Sequence, residues 1–526
     1  MEERPWLKHY VEGQPAEVEI PEISLPELLQ QTVKKYQNNI AITFINQKMT
    51  YGELLAVVKK VASAFSKRGL KKGDRVALML PNTPFYPISY FATLMCGATI
   101  VQVNPLYKPD ELRYILSDSG ATFIVAFEPL SPVVEAVKND TKLKEIIYAS
   151  AESASQFHEL MQDAGDQVPN IEIDPKEDVA VLQYTGGTTG RSKGAMLTHY
   201  NLVANTIQSA VAIKPVSEPG KERVLMVAPL FHVYGMTSGM NLAFYNGNNL
   251  IMLPRFDIEQ VVKTIETFKP TNFPGVPTMY IGLLNYAKNH DIKLDSFKSC
   301  TSGSAPLPVE VLEQLHEVTG APVAEGYGLS EASPTTHRNP VVGIQKAGSI
   351  GIPFPSTDVK IVDKETGERT LEVGEIGEMI IKGPQVMKGY WNMPEETEQT
   401  IRNGWLYTGD LAKMDEDGYF YIVGRKKEMI IASGYNVYPI EIEDVIYEHP
   451  KVLEAAVFGV PHPYRGETIK AVIVPRDGQT LTEEEIIEFC KEKLAAYKVP
   501  KIVEFRDELP KTAVGKILKR KLQEEG

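Results

Sequence analysis

LQYTGGTTGRSKG, residues 182–194, packs four glycines, three threonines and a serine into thirteen positions and closes on Lys193 and Gly194. It follows an apolar, β-prone run at 179–184 and stands just ahead of a helical pattern from Asn201. Glycine lets a backbone turn tightly and approach a ligand closely. Hydroxyls and bare amide N–H groups can then surround an anion while Lys193 adds positive charge, which is the chemistry of a phosphate-cradling loop. An ordinary Gly/Thr surface loop has the same composition, so the run alone leaves both readings open. The nucleotide loop G-x-x-x-x-G-K-[ST] is excluded by register, because Lys193 follows Ser192 and precedes Gly194.

Working outward, apolar strand-like runs alternate with helical patterns on both sides of this loop. Residues 25–36 have helical spacing, and 41–44 with 49–51 form a short hairpin edge. Thr50 caps the next helix with Glu53 three residues on, and Leu54, Val57, Val58, Val61, Ala62 and Phe65 repeat along one face. Strands follow at 76–80, 100–103, 123–125, 146–149 and 179–184, with a helix running to Met95. This alternation predicts a doubly wound, mostly parallel sheet. A second unit of the same rhythm follows, with strands at 224–228 and 250–253 and helices at 258–268 and 278–287. From Gly348 short strands at 359–362, 377–381 and 418–423 predict a small β-subdomain, with 365–368 and 415–418 as turns. Asp415 and Asp417 read as turn residues, since the rest of a calcium loop is missing. The last hundred or so residues mix a helix at 439–449, strands at 455–460 and 470–474, a helix at 482–494 and a basic segment at 510–521.

The chain has 526 residues, 43% of them hydrophobic, enough for several domains with large cores. A formal charge of −13 disfavours nucleic-acid or general anionic-membrane binding. No apolar run reaches membrane-spanning length and the opening lacks signal-peptide layout, which predicts a cytoplasmic protein without a transmembrane segment. A transient peripheral membrane contact and a homodimer are both compatible with the sequence. Cys96, Cys300 and Cys490 are widely spaced and read as structural thiols.

Four further clusters follow the glycine loop in order: SGSAP at 302–306, EGYGLSE at 325–331, WLYTGD at 405–410 and PKTAVGK at 510–516. Together with YTGGTTGRSKG they resemble the ordered motifs of the adenylate-forming superfamily of acyl-CoA synthetases, adenylation domains and luciferases. The detail is similar to bacterial long-chain fatty acyl-CoA ligases: WLKHY, GDRVALMLPN, VNPLY, Gly186 where many relatives have serine, and NGWLYTGDLAKMDEDGYFYIVGRKKEMI.

The resemblance implies an α/β fold: a large N-terminal domain, 1–425, of two doubly wound subdomains plus a β-subdomain at about 348–423; a hinge at 426–427; and a small mobile α+β domain, 428–526. It implies ATP, Mg²⁺ and coenzyme A as cofactors and a fatty acid as substrate. Thr185, Gly186, Gly187, Thr188, Thr189, Gly190 and Lys193 would hold the ATP phosphates. Tyr327 would lie on the adenine, within the motif Glu325, Gly326, Gly328, Leu329 and Ser330, with Ser304, Ala305 and Pro306 opposite; flanking glycines suit close ligand approach. Thr188 and Glu331 would ligate Mg²⁺, Asp410 would accept from the ribose hydroxyls, and Arg425 would add a second ribose or phosphate contact. Lys516 would stabilise charge developing on the α-phosphate, with Thr188 and His232 completing the catalytic set.

No protein nucleophile is implied, since the substrate carboxylate attacks first and the CoA thiol second. The C-terminal domain would swing between the two steps about Lys427, exposing Ser433, Gly434 and Tyr435 to the thiol's route. Val233, Tyr234, Gly235, Gly275 and Gly303 would line the acyl pocket, with Gly235, Gly239 and Gly275 leaving room for a long slot. Gly424 and Glu428 depart from the aspartates usual in relatives at these positions beside the hinge. An aryl-CoA ligase, a non-catalytic nucleotide or acyl-CoA binding protein, and an adenylation domain loading a carrier protein are the alternatives.

Overall fold

The computed structural model describes residues 4–150, 156–162, 165, 168–185, 192–432, 435–462, 466–513 and 515–525. A seven-stranded sheet runs, edge to edge, through Gly389–Tyr390, Lys193–Thr198, Val179–Thr185, Thr99–Gln102, Arg75–Met79, Phe123–Phe127 and Glu145–Ala149. Its pairs from Val179–Thr185 to Glu145–Ala149 are parallel. The second sheet has nine strands, with a parallel interior from Val323–Gly328 through Ser299–Ser302, Asn272–Gly275, Arg223–Met226 and Asn249–Met252 to Ile40–Phe44.

The hairpin read at 41–51 joins this second sheet, Ile42 pairing with Leu250, although the helix after it packs in the first lobe's core. The chain therefore crosses between lobes at its start. One apolar core fuses the two sheets, and helix Phe85–Met95 is buried from Tyr86 through Met95, as expected for a helix that is apolar all round.

The capping box expected at Thr50 forms, and two that were not expected form beside it. Thr50 accepts from Glu53 N at the head of Tyr51–Lys67, and Ser24 with Glu27 and Thr198 with Asn201 do the same for Leu25–Tyr36 and His199–Ile213. The β-subdomain contains the strands Asp358–Val362, Gly377–Lys382, Ile401–Arg402, Trp405–Met414 and Phe420–Arg425. After Arg425 a short turn leads into a separate sheet, which includes Ile430–Ala432 and the long hairpin Val452–His462 with Gly466–Pro475. Helices Pro439–Tyr447 and Glu483–Lys493 pack on this last sheet over a core of its own.

Candidate active site

The glycine run stands in sequence between two paired strands. Val179–Thr185 and Lys193–Thr198 are antiparallel, with Thr185 opposite Lys193 and Tyr184 opposite Gly194. The sequence reading ran from strand through loop to helix and missed Lys193–Thr198 as a strand. The helix starts at His199 instead of Asn201. The hairpin base is tied on both sides: the Tyr114 hydroxyl donates to Ser192 O at 2.7 Å and the Tyr184 hydroxyl to Asp118 Oδ2 at 2.6 Å. Gly186, Gly187, Thr188, Thr189 and Gly190 lie outside the described residues, so the structure speaks only to Thr185 and Lys193. Lys193 Nζ pairs with Glu396 and sits 5.2 Å from the centre of the Tyr390 ring. The Tyr390 hydroxyl donates to Glu331 Oε1 at 2.8 Å, so Tyr390 joins the phosphate-loop lysine to the expected metal carboxylate.

Around Tyr327 a second set converges. Asp410 and Arg425 stand opposite one another on adjacent strands, with Arg425 Nε 3.2 Å from Asp410 Oδ1. The Tyr327 hydroxyl donates to Asp410 Oδ2 at 2.5 Å. Burial and the Asp410 charge push the tyrosine's pKa well up, so it stays a donor, while the Asp410 carboxylate raises that of Arg425. The glycines beside Tyr327 serve packing: a Cβ at Gly328 would lie 2.4 Å from Pro334 O and one at Gly326 3.1 Å from His337 O. Backbone approach to the neighbouring strand, where ligand approach was expected, accounts for both.

Glu325 is 6% exposed and accepts from Leu307 N at 3.2 Å, which anchors the loop of Ser304, Ala305 and Pro306. Its other oxygen has no partner among the described residues, and burial raises its pKa to about 7. Ser304 has φ +71°, a left-handed turn just beyond strand Ser299–Ser302. Leu329 N donates to Pro334 O, and Ser330 opens the single turn Ser330–Ala332 that carries Glu331.

Lys516 arrives from the C-terminal domain on a tight loop in which Thr512 N donates to Lys516 O at 2.8 Å and Gly515 N to Thr512 O at 2.9 Å. Gly515, at φ +77°, comes so close to helix Pro277–Asn289 that a Cβ would sit 2.8 Å from Thr278 Oγ1. The Lys516 side chain keeps contact with water while both domains crowd it. That partial desolvation lowers its pKa, Arg425 adds repulsion, and Asp410 and Glu428 attract. Across the cleft, burial first and the Lys516 charge second push His232 down to about 4, leaving it neutral. His232 Nδ1 accepts from Tyr234 N at 3.3 Å, which assigns the ring proton to Nε2. Tyr327, Asp410 and Arg425 are bonded in one group, the charges of Asp410 and Arg425 reach Lys516 and that of Lys516 reaches His232, and Glu331 contributes to the field at Arg425.

The expected acyl lining is built differently. A Cβ at Gly235 would meet Pro229 O at 2.2 Å, at Gly239 Met226 Sδ at 2.4 Å, and at Gly275 the Tyr280 ring at 2.8 Å. Gly303 lies under the Tyr234 ring, whose hydroxyl bonds to Gly275 O and Thr301 O at 3.3 and 3.2 Å. Protein atoms stand where side chains at Gly235, Gly239 and Gly275 would begin. Val233 and Tyr234 are buried where the chain enters the π-helical turns Tyr234–Asn241. Tyr435 stands on an exposed face of the C-terminal domain stacked on Tyr497 at 4.6 Å, and Ser433 and Gly434 lie outside the described residues. Lys427 is exposed on the turn after Arg425. Burial pushes Cys96 and Cys300 up to about 12 and Cys490 to about 11, as inert structural thiols require.

Sequence reading missed Tyr390, Glu396 and Thr278. The only signal for the first two was the KGYW run at 388–391, an edge strand pairing Tyr390 with Ala195.

Two family models match the chain in order. AMP-binding enzyme covers residues 29–391, and AMP-binding enzyme C-terminal domain covers 441–516. A long-chain-fatty-acid–CoA ligase of Bacillus subtilis (strain 168) is 47% identical over 551 residues, covering 99% of this chain and 98% of the relative. A ligase of the same name from Escherichia coli O6:H1 is 40% identical at the same coverage. Among solved structures, ATP-bound MatB from Rhodopseudomonas palustris superposes with a TM-score of 0.88 at 32% identity, covering 96% of this chain and 99% of that one. A nucleotide-suited cleft, two domains matched in sequence and relatives aligned end to end converge on one conclusion: the chain belongs to the AMP-binding enzyme family.

Proposed function

We propose that this protein is an ATP-, Mg²⁺- and coenzyme A-dependent fatty acyl-CoA synthetase. The observation that carries the reading is Lys516, brought by the small domain into a cleft already furnished with Tyr327, Asp410, Arg425 and neutral His232. In the first step a carboxylate oxygen attacks the α-phosphorus and the bond to pyrophosphate breaks, giving acyl-adenylate. Negative charge grows on phosphate oxygens, where a preplaced ammonium stabilises the transition state more than the ground state. His232, being neutral, adds no competing cation.

Asp410, an acceptor held by Arg425 and Tyr327, suits the ribose hydroxyls. Lys193 holds phosphate once Glu396 gives it up. Glu331 and Thr188 would hold Mg²⁺; the Glu331 carboxylate accepts from the Tyr390 hydroxyl through one oxygen and forms no ion pair with a lysine or arginine among the described residues, which fits a hard cation shared with phosphates. When bound, Mg²⁺ neutralises charge between phosphate oxygens. In the second step the CoA sulfur attacks the carbonyl carbon, AMP leaves, and the thiol proton goes to water. For this the C-terminal domain, 428–526, turns about 426–427, withdrawing Lys516 and presenting Ser433, Gly434 and Tyr435.

The substrate class is supported by the two ligases that resemble this chain along its full length. AMP release, measured with CoA and straight-chain fatty acids of increasing length, is expected to exceed that with any hydroxycinnamate. Faster turnover of hydroxycinnamates would reject fatty acids as the substrate class.

A further inference from the structure

The run WLKHY, residues 6–10, has no part in the chemistry above, yet it is built tightly into the molecule. Its turn, Pro5–His9, buries Trp6 to 3% exposure in the β-subdomain core. The backbone lands on the bend of the hairpin that carries Asp410 and Arg425, where a Cβ at Gly418 would sit 2.6 Å from Trp6 N. Lys8 Nζ pairs with Asp417 at 2.8 Å, Arg4 with Asp358 at 2.7 Å, and the Tyr10 hydroxyl donates to Pro353 O at 2.9 Å.

From Trp6 a continuous line of ring contacts leads to the nucleotide residues. Its ring meets Phe420 at 5.9 Å, Phe420 meets His337 at 4.9 Å, and His337 meets Tyr327 at 5.9 Å, all edge to face. Tyr327 then donates to Asp410. His337 is fully buried and holds the Thr336 hydroxyl at 2.9 Å, with burial lowering its pKa to about 3, so the ring acts in this line as a neutral spacer. Edge-to-face pairs fix ring planes as well as burying area.

We propose that Trp6 is a positioning residue for the nucleotide site: through Phe420 and His337 it sets the plane of Tyr327 and, through the Tyr327 hydroxyl, the Asp410 carboxylate. This rests on the assignment of Tyr327 and Asp410 to the adenosine moiety.

The test uses full-length wild type, Trp6→Leu, Trp6→Phe, Phe420→Leu, Tyr327→Phe and the double variant Trp6→Leu/Tyr327→Phe. AMP affinity is read by calorimetry, KM for ATP and for fatty acid by pyrophosphate exchange, and folding by thermal unfolding. Trp6→Leu keeps apolar bulk but loses the ring, and is expected to weaken AMP binding and raise KM for ATP by roughly five- to thirtyfold. KM for fatty acid should stay within about twofold, and Trp6→Phe should recover most of the loss. Phe420→Leu breaks the line while leaving every residue of the arm in place and should give the same split, which keeps the test valid should Trp6→Leu fail to fold. In the Tyr327→Phe background, where the bond to Asp410 is already gone, Trp6→Leu should cost less than about threefold.

Wild-type affinity for AMP in folded Trp6→Leu and Phe420→Leu, equal losses for ATP and fatty acid, or fully multiplicative effects in the double variant would each overturn the proposal. Wild type that binds no AMP would instead remove the nucleotide-site assignment, and the proposal with it.

Discussion

Lys516 carries its charge into a cleft where partial loss of water and the Arg425 guanidinium both favour the neutral amine. Its ammonium is therefore lost at lower pH than that of a free lysine, and adenylation, which needs the charge, should fall on the alkaline side below pH 10.5, the ordinary lysine value. Bound triphosphate adds negative charge and pulls the pKa back up, so the alkaline limb of kcat/KM for pyrophosphate exchange should lie below that of kcat. Coincident limbs would count against Lys516 as the titrating group. Lys193 makes a different point, because its partner Glu396 competes with phosphate for the same ammonium. Glu396→Gln should lower KM for ATP by roughly two- to fivefold, the worth of a partly exposed pair; an unchanged KM would show that the pair costs nucleotide binding nothing.

Of these residues, Lys193, Asp410 and Lys516 were singled out by the order of motifs along the chain and the family resemblance it carries, since each motif alone left a plain loop or turn open. Glu396 and Tyr390 were not, since what makes them matter is a strand pairing that joins positions about two hundred residues apart, which no local pattern carries.

At the scale of elements, the glycine hairpin and the tail loop are the two devices that bring charge to the cleft. Strand Lys193–Thr198 stands between the glycine run and helix His199–Ile213, so no helix N-terminus follows the run directly. Under the proposed function, that would leave more of the phosphate charge to Lys193. The tail loop depends on Gly515, where a side chain would meet both a left-handed backbone and Thr278. Gly515→Ala should slow adenylate formation by about tenfold or more, for strain and contact together of a kcal/mol or two, while thioester formation from supplied acyl-adenylate stays within about twofold. Thr278→Ala should restore part of the loss, and equal slowing of both half-reactions would contradict the docking role.

The helix capped by Thr50 was readable because both halves of its capping box lie within four residues, and the helix capped by Ser24 was read from its spacing alone. Strand Trp405–Met414 was read only as a motif: Gly409 at φ +72° and a register shift after Leu411 interrupt its alternation. The glycines of the acyl region make a related point. Sequence shows a missing side chain but not which neighbour occupies the gap, and at Gly235, Gly239 and Gly275 that neighbour is protein.

At the scale of the whole molecule, two α/β lobes on one core form the body, the β-subdomain carries Asp410 and Arg425, and a small domain with its own core supplies the lysine. The chain passes from body to small domain through one short turn at Lys426 and Lys427, with Glu428 N and Met429 N bonded back to Arg425 O. If that turn is the axis of exchange, Lys427→Pro should hinder rotation, leaving pyrophosphate exchange within about threefold while lowering overall acyl-CoA formation by roughly a hundredfold. Parallel loss of both would argue against alternation. The two-lobe plan was readable from the alternating strands and helices, whereas the lobe to which the first hairpin belongs was not, because parallel partners are chosen by the fused core rather than by neighbours in sequence.

The most direct measurement is fatty-acid-dependent exchange of labelled pyrophosphate into ATP by purified wild type and Lys516→Ala, each also assayed for thioester formation from synthetic acyl-adenylate and CoA. Wild type should exchange label only when fatty acid is present. Lys516→Ala should lose exchange by about a thousandfold, on the scale of removing one electrostatic stabiliser of the transition state, yet keep thioester formation. Exchange that survives in Lys516→Ala, or that never occurs in wild type with any fatty acid, would contradict the account.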